Sequence, residues 1–159
     1  MIDRDTAAWV LLVNSFDGRQ MYAEYLLAHG LHVCAVATPE EALGALARVK
    51  PSVVVSDSVF LHSGYTGTTF IRALRSREDC RQTPVIMVSG YAREEDRDEA
   101  REAGANVFLL KPCLAEHLLS EIRRALVARD EGRRLGWNWP KRPATTADRP
   151  HGERRKLIT

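Results

Sequence analysis

The sequence predicts an α/β domain: a doubly wound, five-stranded parallel sheet over residues 8–129, with helices on both faces. Three observations predict it. Five short apolar runs recur along the chain, each about four residues long and rich in β-branched types. Their apolar residues are consecutive rather than alternate, the pattern of strands covered on both faces. Each run is followed by a stretch of helical spacing, and strictly alternating strand and helix implies parallel strands joined by right-handed crossovers.

The first strand is Val10-Leu-Leu-Val13. Asp17-Gly-Arg-Gln20 has the spacing of a capping box and opens a helix with Met21, Tyr22, Tyr25 and Leu26 on one stripe. The second strand is Val33-Cys-Ala-Val-Ala37, followed by Thr38-Pro39-Glu40-Glu41. There, a threonine N-cap, a proline at the first helical position and a glutamate three residues after the cap start a helix that turns Ala42, Leu43, Leu46 and Val49 inward. Val53-Val-Val55 is the third strand, and Phe70, Ile71 and Leu74 mark the third helix. Val85-Ile-Met-Val88 leads to a fourth helix, Arg93 to Ala103, of nearly continuous charge. It has only Ala92, Ala100 and Ala103 to bury, with Glu94–Arg97 and Asp98–Arg101 as local support, so it is expected to be weakly anchored. Val107-Phe-Leu-Leu110 precedes a fifth helix carrying Leu118, Leu119, Ile122, Ala125 and Leu126.

Past Arg129 periodicity stops, and residues 130–159 read as a flexible, Pro- and Arg-rich tail. Residues 132–159 hold eight Lys or Arg against two acids, a net of +6 in a chain whose total is +2, which leaves residues 1–131 at −4. Apolar residues make up 45% and charged residues 28%, an ordinary balance for a soluble globular domain. No run approaches the roughly 18 apolar residues of a membrane span. The acids at Asp3 and Asp5 stand where a secretory leader is basic, so residence in the cytoplasm is expected, with no membrane partner. Cys34, Cys80 and Cys113 are far apart with no CxxC spacing, which argues for reduced thiols rather than zinc ligands.

In such sheets ligands sit beyond the carboxyl ends of the strands. Those ends carry Asn14 and Ser15 after the first strand, Asp57 after the third, Ser89 after the fourth and Lys111-Pro112 after the fifth. One acid, one hydroxyl and one ammonium therefore converge on one rim.

At this point the chain resembles the receiver domain of two-component response regulators. The resemblance runs from about Trp9 to Arg129. It is carried by Glu40-Glu41-Ala-Leu, by Pro51 six residues before Asp57, by Pro84-Val-Ile-Met-Val-Ser89, and by Glu102-Ala-Gly-Ala-Asn-Val-Phe108-Leu-Leu-Lys111-Pro112. It implies strand order 2-1-3-4-5, with Asp57 accepting a phosphoryl group from a histidine kinase or phosphotransfer protein. It implies that Ser89 binds a phosphate oxygen, that Phe108 is the aromatic that rotates inward, and that Lys111 pairs with the new charge. It also implies a cis Lys111–Pro112 bond, a downstream protein partner and a homodimer face made of the fourth helix, fifth strand and fifth helix. With only a short tail after the domain, a stand-alone receiver is expected. No enzymatic role is: no phosphate-binding glycine loop, nucleophile elbow or metal triad is present in the sequence.

Two departures qualify the resemblance. The family has two adjacent acids after the first strand, which hold Mg²⁺ together with the acceptor aspartate and a backbone carbonyl, here that of Val59. This chain offers Asn14 with Ser15, or Val13 with Asn14; neither pair has a carboxylate, and Asp17 is placed to cap the helix. Two charges at 4 Å interact by about 4 kcal/mol at an effective dielectric of 20, so after desolvation each lost acid costs roughly a hundredfold in affinity for a divalent ion. No tightly bound cofactor is expected, and Mg²⁺ at most weakly. The loop after Asp57 also lacks the family's proline and is about two residues longer, with His62 read as a solvated loop histidine.

Three readings compete. The first is a signalling receiver that still uses Asp57. The second is a pseudo-receiver that docks without phosphate, with Asp57 and Lys111 simply paired. The third is nucleic-acid binding through the basic tail with Trp137 and Trp139, disfavoured because a charge run is usually a solvated face.

Overall fold

Each of the five apolar runs forms a strand in a computed structural model, which describes residues 8–132 except 16, 17 and 92. The strands are β1 (Trp9–Val13), β2 (His32–Val36), β3 (Val53–Asp57), β4 (Val85–Ser89) and β5 (Val107–Leu110). They alternate with α1 (Arg19–Ala28), α2 (Pro39–Ala45), α3 (Gly67–Ser76), α4 (Glu94–Ala103) and α5 (Ala115–Asp130). All pairings are parallel and the order is β2-β1-β3-β4-β5.

Continuous apolarity has the expected consequence, because successive side chains serve opposite layers. Leu11, Val13, Val54, Val85 and Met87 join Ala42, Phe70, Ile71 and Ala100 in the layer under α2, α3 and α4. Val10, Leu12, Val53, Val55 and Ile86 join Leu26, Leu118 and Ile122 under α1 and α5. Each fully buried aliphatic side chain stabilises by about 1.5–3 kcal/mol, so both layers are needed to hold the sheet. β2 departs from the pattern: its residues are mostly half-exposed because it is an edge strand. An apolar run by itself cannot distinguish an edge from a centre.

Helix ends show where local chemistry decided. Thr38 caps α2 by accepting from Glu41 N at 3.2 Å, with Pro39 in the first turn. Thr66 and Thr69 form a reciprocal capping box on α3. For α1 the N-cap is Gly18 rather than Asp17. Gly18 is in a left-handed conformation with no side-chain cap, and the Gln20 amide donates to Glu24. Asp17 itself lies outside the described residues. α4 buries Ala100 and Ala103, as its sequence required, and ends on the left-handed Gly104. The described residues contain no helix long and apolar enough to cross a membrane. The tail expected over 130–159 falls beyond the described residues from 133 onward.

Candidate functional site

The chain reverses direction across the sheet between β1 and β3, and the site lies at that switch point. β1 and β3 pair with Val13 opposite Ser56, so Asn14 comes beside Asp57 at the strand tips. Of the two sequence pairings left open, the structure selects Asn14 with Ser15. By strand alternation Asp57 shares a face with Val53 and Val55, toward α1 and α5, whereas Ser89 shares one with Val85 and Met87, toward α3 and α4.

Asp57 is 3% exposed, and both carboxylate oxygens are engaged. Oδ2 accepts from the Ser15 amide at 3.1 Å and from its hydroxyl at 3.4 Å. Oδ1 lies 3.0 Å from Lys111 Nζ, an ion pair with no further hydrogen bond from the described residues. The Lys111–Pro112 bond is cis. A buried carboxylate needs such a partner, since an unpaired buried charge is costly. Asp57 and Lys111 are thus brought together as predicted.

Ser89 and Phe108 are placed differently. Ser89 is 1% exposed, and its hydroxyl is shared with Ser58 Oγ at 2.8 Å while it accepts from Tyr91 N at 3.0 Å. Phe108 is wholly buried in the layer under α3 and α4. The aromatic expected to rotate inward is already inside. Beside it a cleft of about 260 Å³ opens, lined by Ser58, Val59, Met87, Ser89, Tyr91 and Phe108 among others.

The donor set does not suit Mg²⁺. Such an ion needs close to six oxygen ligands in near-ideal geometry and binds proteins through carboxylates. Here the rim has one carboxylate, already shared with an ammonium, beside a neutral amide and a hydroxyl. Among the described residues no group of three His, Cys, Asp or Glu could hold a metal. Asn14 is 3% exposed, and its Oδ1 is buried with no hydrogen-bond partner among the described residues. A neutral acceptor now occupies a tip position where the family places acids.

The longer β3–α3 loop is pinned from α2. Glu40 accepts from Ser63 Oγ at 2.9 and 2.7 Å and from Gly64 N at 3.1 Å, contacts that hold its carboxyl below the ordinary range. His62 is exposed at the loop tip with φ 62°. At the loop's far end, Gly67 packs against the site: a Cβ there would meet Asp57 O at 2.5 Å and Ser58 Cα at 2.7 Å.

Reasoning from sequence missed Ser15 as a donor to Asp57, Ser58 as the partner of Ser89, and Arg19, whose guanidinium donates to Asn14 O and Ser15 O at 3.1 and 3.2 Å. The position of Ser15, where an acid was due, was the available signal. Nothing local marks the other two.

Fold and site together define a doubly wound α/β domain that presents one buried acid, held by a lysine, at its topological switch point. The model of the response regulator receiver domain matches residues 10–123, and the chain belongs to that family, a module of phosphorylation-based two-component signalling. It is 31% identical over 125 residues to the hydrogenase transcriptional regulatory protein HoxA of Cupriavidus necator, covering 78% of this chain and 25% of that protein. It is 36% identical over 123 residues to the regulatory protein VirG of Agrobacterium fabrum, covering 73% and 46%. Among solved structures it is similar to the chemotaxis response regulator CheY4 of Vibrio cholerae, with a TM-score of 0.70, 32% identity, and coverage of 76% of this chain and all of that one. The chain thus spans a quarter to about half the length of these two curated relatives. The comparisons lend no support to the phosphate-independent docking alternative.

Proposed function

We propose that Asp57 is the phosphoacceptor of this receiver, taking its phosphoryl group from a phosphohistidine on a histidine kinase or phosphotransfer protein. A carboxylate oxygen of Asp57 attacks phosphorus as the N–P bond breaks. The electron pair stays on the imidazole, which regains a proton from solvent, and Asp57 becomes an acyl phosphate. The Lys111 ammonium, already 3.0 Å from Oδ1, is positioned to follow the negative charge onto the phosphoryl oxygens. Ser89, released from Ser58, supplies a hydroxyl. Local charge of this kind biases a two-state element. In this chain that element is the face of α4, β5 and α5, where α4 is anchored mainly by two alanines. A downstream protein, or a second copy of the domain, reads that face.

The Asp57–Lys111 pair carries this reading: a buried acid with a single ammonium partner at the sheet's switch point. Mg²⁺ binds weakly on this reading, because its carboxylate ligands are absent from the β1 tip. The protein is an acceptor that is modified rather than an enzyme acting on a separate substrate, and it acts away from membranes in the cytoplasm. Incubation with a small phosphoramidate donor tests it. Label on the wild type that is lost in Asp57→Asn and little changed by chelating divalent ions is expected. Equal label on Asp57→Asn, or none on the wild type, overturns the assignment.

A further inference from the structure

The geometry points to Tyr22 as a positioning residue for Lys111, a side chain that ties together the two loops holding the carboxylate of Asp57. The inference rests on the reading of Asp57 as phosphoacceptor. Tyr22 lies in the first turn of α1, is 6% exposed and belongs to the core layer under α1 and α5. Its phenol donates to the carbonyl of Cys113, two residues beyond Lys111. The ring therefore holds the turn Lys111-Pro112-Cys113 from below. Its other edge lies against Gly18, where a Cβ would come within 3.1 Å of the ring. Gly18, with φ 89°, joins α1 to the loop that begins with Asn14 and Ser15.

The two loops so joined supply the two grips on Asp57. Ser15 donates to Oδ2 and Lys111 faces Oδ1. Lys111 itself is a flexible side chain 39% exposed; its amide donates to Ser89 O at 2.8 Å, which holds the turn on the strand side only. A lysine ammonium is a point charge on a four-carbon stem, so its placement depends on where its backbone is held. Tyr22 holds the far side of that turn, at Cys113. The phenol also senses the site: burial first, then the charges of Cys113 and Asp57, push its ionisation above the ordinary value.

A hydrogen bond that merely satisfies a buried carbonyl would cost stability without acting through Lys111. A double-mutant cycle separates the two. Phosphorylation of the whole chain by the phosphoramidate donor is measured for the wild type, Tyr22→Phe, Lys111→Met and the double variant. Tyr22→Phe keeps the ring and removes only the hydroxyl. A neutral hydrogen bond corresponds to about a fivefold effect. Tyr22→Phe is expected to slow wild-type labelling by about that factor and to have no effect in the Lys111→Met background. An equal slowing in both backgrounds, or none in either, overturns the inference. Absence of label on the wild type would bring down the phosphoacceptor reading instead, and amide spectra of the unmodified protein then decide. Tyr22→Phe should move the amide signals of Lys111, Ser15 and Asp57; changes confined to Tyr22 and Cys113 would overturn it.

Discussion

The two ends of the sheet treat charge in opposite ways. At the amino-terminal ends of β4 and β5, Arg75 from α3 is saturated: its guanidinium donates to the carbonyls of Cys80, Arg81, Thr83 and Gly104 and to Asn106 Oδ1, at 2.6–3.1 Å. Asn106 Oδ1 in turn accepts from Val85 N. At the carboxyl ends, Asp57 has one ammonium and one serine, and Asn14 Oδ1 beside it has no partner among the described residues. The first arrangement is finished by folding; the second leaves capacity unspent. Saturation rigidifies, whereas a sparsely satisfied rim keeps groups free to be recruited by an incoming phosphoryl group.

The comparison can be broken at either end. The largest expected effect is at the saturated one. Arg75→Ala leaves several part-buried carbonyls without donors and should cost about 3 kcal/mol in urea unfolding, with Arg75→Lys recovering only part because it lacks the planar fork. A loss below about 1 kcal/mol would mean the network is solvated and the contrast false. Next comes the metal question at the rim. Asn14→Asp, which restores one acid, should raise Mg²⁺ affinity by on the order of a hundredfold in calorimetric titration, and lower stability when Mg²⁺ is withheld. Unchanged affinity would show that something other than the missing acids sets metal binding.

Asn14→Leu tests the orphaned oxygen directly. Removing an unsatisfied buried acceptor should stabilise the fold by about 1 kcal/mol, whereas a comparable loss would reveal a partner that Asn14 depends on. The smallest effect concerns pH. Burial, then the Cys113 and Asp57 charges, raise the Tyr22 phenol above its ordinary 10.0, so the folded state keeps a proton that the unfolded chain releases first. That contribution is complete below pH 10 and is lost as pH climbs toward the folded value, so stability falls on the alkaline side. Tyr22→Phe should flatten the decline in thermal midpoint above about pH 10, and an unaltered alkaline limb would sever the link.

Apolar runs legible in sequence became strands because a doubly covered strand has no polar face to place, and Thr38 with Pro39 became a helix start because capping is a local transaction within four residues. The end of each strand can also be counted in the sequence, which puts Asp57 and Lys111 on one rim. Ser89 was found at the rim but not its partner: its hydroxyl meets Ser58 across strands, a pairing set by register. α1 shows the converse. The local signature at Asp17 and Gln20 promised a capping box, yet a left-handed Gly18 packed against Tyr22 stands at the N-cap.

The sequence alone therefore determined the alternation of elements, the sheet's double cover, and the absence of acids from the β1 tip, since each follows from residue type at fixed spacing. Only the tertiary structure decided which neutral pair faces Asp57, that Ser15 closes on its free oxygen, that Arg75 and Tyr22 each tie separate segments, and that Phe108 is already buried. The reason is physical: spacing governs contacts within a turn of helix or a strand, whereas contacts across 42 or 91 residues exist only once the strands have chosen their register.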